Sequence, residues 1–145
     1  MKSQEFAPLI ILAILACHDE PVAPSSAAGL TLALALAHTE VQRGQPDSVF
    51  MILTNTNPHS VALNGGVCEP RPYVSDAHGG IVVPAGGDWI CIAIVRRLVL
   101  TAGQRYAQTF VWQTGSFAPG NYSVYATFTA EEVKLATPAA SVRLN

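Results

Sequence analysis

The side chains able to do chemistry are scattered along this chain. Its serines, from Ser25 to Ser141, include no Gly-x-Ser-x-Gly turn that would present one as a nucleophile. The four histidines, His18, His38, His59 and His78, lack a His-x-His or His-Glu-x-x-His spacing. Asp76 and His78 stand close enough to flank a metal, but no third ligand is nominated. Glu131 and Glu132 are neighbours, and on a strand adjacent side chains point to opposite faces, which is unsuited to a paired acid and base. The glycine pairs at 65–66, 79–80 and 86–87 lack the following lysine or helix that a phosphate cradle needs. The expectation is a chain that is not an enzyme, with no catalytic residue, no metal and no cofactor.

Cysteine is the exception. Residues 6–16 form an uncharged, mostly apolar run that follows Lys2 and ends in Ala16 just before Cys17. A positive start, an apolar centre and a small residue at the boundary describe a secretory signal. The tetrad Ile14-Leu15-Ala16-Cys17 resembles a bacterial lipobox, in which the cysteine is diacylated and heads the mature chain. The run is too short for a membrane span, which needs about 20 apolar residues. A plain secreted protein is the nearest alternative. The expected location is the bacterial cell envelope, outside the cytoplasm, with the membrane as a partner through lipid on Cys17. In that oxidising space Cys68 and Cys91 are expected to pair. Closing a loop of that length is worth about 3 kcal/mol in the chain-entropy picture.

Charge narrows the partners further. Only 12% of residues are charged, the formal net charge is −2, and the arginines and lysines form no stripe along a face. Nucleic acid is therefore not an expected partner.

The elements that must position these residues read as β. Residues 17–29 are rich in small residues and proline and read as a flexible tether after a signal peptide at 1–16. From Leu30, four leucines alternate with Thr31, Ala33, Ala35 and Ala37, a period of two that one strand face satisfies and a helix does not. Further apolar runs are expected to form strands at 48–54, 61–63, 73–75, 81–83, 89–95, 98–100, 104–113, 122–129 and 133–144. Turn residues break them at the spacing of a β-sandwich. Pro119, Gly120 and Tyr122 look like the tyrosine corner of immunoglobulin-like domains, a structural feature in which the Tyr hydroxyl bonds nearby backbone. The expected fold is all-β: an immunoglobulin-like antiparallel β-sandwich over residues 30–145.

Candidate binding residues lie in two loops. Cys68 begins a proline-braced stretch containing Glu69 and Arg71, stiff enough to suit recognition. Asp88 and Trp89 follow a Gly-Gly turn beside Cys91. Trp89 has two readings: a core aromatic packed on the disulfide, or an exposed anchor of the kind enriched at binding hot spots. Trp112 shares a strand face with Phe110 and reads as core.

The order of motifs carries a resemblance. Thr54-Asn55-Thr56-Asn57, Val74-Ser75-Asp76 with Gly79, Ile81-Val82-Val83, Leu98 through Gln104, the aromatic strand ending in Trp112, and Pro119-Gly120-Asn121-Tyr122-Ser123-Val124 together resemble the BsuPI domain. That family is named for an intracellular proteinase inhibitor. The resemblance implies an immunoglobulin-like sandwich over about residues 30–144, and inhibition of a proteinase as a possible activity. It assigns no reactive-site residue. The first expectation for function is a non-catalytic, lipid-anchored binding module that recognises a protein or a surface polymer through its loops. The alternatives are a proteinase inhibitor, or a structural subunit that assembles through its edge strands.

Overall fold

The computed structural model describes residues 25–131 and 133–145. Cys17 and the signal-peptide residues lie outside these described residues, as does most of the expected tether.

Among the described residues there are twelve strands: β1 (Ser25–Ala27), β2 (Leu30–Leu36), β3 (Glu40–Val41), β4 (Pro46–Asn55), β5 (Val61–Gly66), β6 (Arg71–Ser75), β7 (Ile81–Val83), β8 (Val95–Leu100), β9 (Arg105–Gln113), β10 (Gly120–Ala130), β11 (Val133–Ala136) and β12 (Ala140–Leu144). One 3-10 turn, Thr114–Ser116, interrupts them. The first sheet has the order β1-β2-β4-β9, and the second runs β3-β12-β10-β5-β8, with β6, β7 and β11 joined to it through β10 and β6.

Alternation makes the sandwich. Leu30, Leu32, Leu34 and Leu36 are buried, and the alanines and threonine between them are half-buried. Val49, Met51 and Leu53 continue that row on β4; Tyr122, Val124, Ala126 and Phe128 oppose it from β10. Each such side chain contributes about 1.5–3 kcal/mol when removed from water, so a slip of one residue in register would expose a whole row. The β2-β4-β9 sheet over the β12-β10-β6 sheet is an immunoglobulin-like arrangement. Among the described residues every pairing is antiparallel except β3 with β12, a parallel two-residue contact at the margin.

Three expectations are corrected. Order begins earlier than Leu30. Ser25–Ala27 pairs with β2 through a two-residue turn in which Ala28 and Gly29 both have positive φ, so the last five residues of the supposed tether are a hairpin strand and its turn. Gly29 suits this position because its φ of 68° lies where other side chains are strained, and a Cβ there would also press on the Asn57 side chain. The strand expected over 89–95 does not form. β8 starts only at Val95, because its partner β5 ends at Gly66 opposite that residue, and the chain before it has no ladder to join. Residues 133–144 form two strands rather than one. At the break Thr137 turns inward, and its hydroxyl accepts from the Ala126 amide at 3.0 Å.

Candidate functional site

The disulfide region gathers most of the residues singled out in the sequence. Cys68 and Cys91 are bonded, their Cα atoms 6.1 Å apart. The bond fastens residues 84–94, which lack regular structure, to the loop before β6. Trp89 sits between the two readings offered for it. Its ring is half-buried against the core, lies edge-on to Phe110 with centroids 5.8 Å apart, and its indole N–H donates to the Pro72 carbonyl at 2.8 Å. Asp88 is exposed, and its carboxylate accepts from the Trp89 amide at 2.8 Å, fixing the entry to the aromatic.

A groove of about 240 Å³ opens beneath Trp89, lined by Met51, Cys68, Pro70, Pro72, Gln108 and Phe110. It exists because β9 is the last strand of its sheet. The inward row of β9, Tyr106, Gln108 and Phe110, is only half covered until Trp112, which is 1% exposed.

Glu69, expected on a recognition loop, turns inward instead, and Arg71, expected beside it, is half-buried and pairs with it. Glu69 is 5% exposed; its Oε2 accepts from the Thr129 amide at 2.9 Å and its Oε1 lies 2.7 Å from Arg71 Nε. The Arg71 contact is a charge pairing whose N–H is not aligned on the oxygen. Leu63, Leu98 and Phe128 line the small cavity that Glu69 shares. Burial there pushes the Glu69 carboxyl above its usual range, and the Thr129 amide and Arg71 offset part of the rise. Pro70 and Pro72 are buried too, so the stretch from Cys68 to Pro72 is a structural brace.

The exposed side chains lie on either side of Cys91. Ile90 is fully exposed, Ile92 is 65% exposed, and Ile94, Val95 and Val99 are also open to solvent. Nothing in the sequence separated these residues from ordinary strand hydrophobics; the missing signal is that β5 runs out of partner residues at Gly66.

The remaining candidates are structural. Tyr122 donates its hydroxyl to the Ala118 carbonyl at 2.7 Å and packs edge-on to Trp112, with Pro119 and Gly120 in the turn between. Asp76 accepts from the amides of His78 and Gly80, both at 2.9 Å, and so closes the β6–β7 turn with the carboxylate a metal would need. Sequence reasoning missed Asn55. Completely buried, it donates to the carbonyls of His59, Leu100 and Thr101 and accepts from the Asn57 amide, tying β4 to the start of the β8–β9 turn.

Fold and site together define a small, disulfide-braced β-sandwich module with one open, apolar margin. No family model matches the chain, and no curated protein matches it in sequence. Among solved structures it is similar to a β-glucosidase from Listeria innocua in complex with glucose, at 15% identity and a TM-score of 0.52. It is similar also to a β-glucosidase from Erythrobacter marinus, at 11% identity and a TM-score of 0.50. In both cases 83% of this chain is covered, and it spans 16% of the length of the enzyme. At such identity the likeness is one of fold.

Proposed function

We propose that this protein is a non-catalytic binding module of the bacterial envelope, held at the membrane by lipid on Cys17, that recognises a partner protein through residues 84–95. The observation that carries the reading is the cluster Ile90, Ile92, Ile94 and Val95, left in water by a chain that buries the apolar rows of β2, β4 and β10. Exposed apolar side chains gathered within six residues are the kind of surface that marks an interaction site. The disulfide and the Trp89 anchor hold the segment in place, so little conformational entropy remains to be lost on binding. A protein fits better than a surface polymer, because the open side chains are aliphatic and offer neither aromatic faces nor hydrogen bonds to a sugar.

The test is a photo-reactive side chain introduced at position 92, with the chain produced in its native host. A discrete cross-linked adduct is expected, and it should be lost when Ile90 and Ile94 are changed to Asp. A cross-link pattern indifferent to those changes would overturn the reading. Loss of palmitate labelling in Cys17→Ser is the parallel expectation for the anchor. An inhibitor of BsuPI type remains the second reading, since residues 86–91 form an exposed, disulfide-tied loop. Titration of a serine-protease panel with the protein decides it: no loss of activity at micromolar concentration removes it.

A further inference from the structure

Two further features meet on the margin that carries the isoleucines: a strand edge without a partner among the described residues, and two arginines outside every ion pair described. β8 ends its sheet: it pairs with β5 on one side and, among the described residues, with no strand on the other. A bare strand edge is a template for another strand. The edge is also cationic. Arg96 and Arg97 are both exposed, and the ion pairs among the described residues, His38 with Asp47 and Arg71 with Glu69, do not include them. Arg96 lies over the Tyr106 ring, 5.3 Å from its centroid, and donates to the Tyr106 hydroxyl at 3.0 Å. Of the acids near this edge, Glu131 is engaged by Asn64, the residue opposite Arg97, and Glu69, which lines the same cavity as Arg96, is paired with Arg71.

We infer that β8 takes up an extended acidic peptide as an added strand, with two adjacent carboxylates set against Arg96 and Arg97. Successive residues of a strand face opposite sides, so tandem acids are what would meet one arginine on the sandwich side and one on the outer side. Apolar residues on either side of the acids would cover Val95, Leu98 and Val99. A second copy of this chain fits poorly, because pairing β8 with itself about either arginine sets like charges directly opposite. An anionic bilayer would accommodate the isoleucines but leave the strand's free backbone groups without partners. The inference rests on the binding-module reading and names the chemistry of its partner.

The test titrates the full chain in detergent solution with the peptide Thr-Val-Val-Glu-Glu-Val-Thr. The Lys-Lys counterpart and phosphatidylglycerol vesicles serve as comparisons, and amide exchange at 95–99 is followed throughout. The acidic peptide should bind about tenfold tighter than the basic one, the effect of two cross-strand charge pairs. It should slow exchange at 95–99, and the double variant R96E/R97E should invert the preference. Equal binding of the two peptides, or binding without protection at 95–99, overturns the inference. So does protection of 95–99 by vesicles and not by the peptide, which would assign the surface to lipid. Concentration-dependent protection without peptide would assign it to a second copy and overturn it likewise. A cross-link at position 92 alongside any of these failures would leave the binding-module reading standing.

Discussion

Glu69 shows how a single side chain can change role between sequence and structure. Its neighbours are two prolines and a cysteine, a composition that reads as a stiff exposed loop. Its environment is an apolar cavity, one backbone amide and one guanidinium. Because burial raises its carboxyl in the folded state, the native protein holds that proton to higher pH than the unfolded chain does. Stability therefore falls as pH rises from the ordinary glutamate range through the raised value, and levels off above it. Urea midpoints measured across this range should show the decline in the wild type and a flatter profile in Glu69→Gln. Tyr122→Phe removes the hydroxyl donated to Ala118 and should cost about 1 kcal/mol in the same assay. Asn55→Ala strands buried carbonyls at Leu100 and its neighbours, and should cost at least about 2 kcal/mol.

At the scale of elements, the strands that alternate over six or more residues were legible. β2, β4, β9 and β10 have the boundaries that the periods of Leu, Val and aromatic residues predict, within two residues. The short ones were not. β3 is two residues and owes its existence to β12, and β1 depends on an Ala-Gly turn that lacks the usual Asn or Asp signal. The segment at 90–94 has the alternation of a strand and no ladder, because pairing is a property of the partner and not of the sequence itself. Its exposure gives a clean prediction. Ile90→Asp and Ile92→Asp should change stability by less than about 0.5 kcal/mol, where Leu32→Ala in the core should cost about 2–5 kcal/mol, both by urea unfolding. Cys91→Ser should cost about 3 kcal/mol and release Trp89, seen as a red shift of its fluorescence.

The whole molecule is a sandwich whose two sheets do not close evenly. On the β1–β2 side the leucine row is sealed; on the β8–β9 side a groove, an unpaired strand edge and the isoleucines coincide. The class of fold could be read from strand period and turn residues, because those are local. The open margin could not, since it follows from which strands run out first. On the proposed function this margin is covered in the cell. Hydroxyl-radical footprinting of the protein in its native envelope and after purification measures that coverage directly. Ile90, Ile92, Ile94 and Val95 should be modified readily once purified and protected in the envelope, while the equally apolar Ile81 and Val111 react alike in both. Equal modification of all six residues in the two states would contradict it.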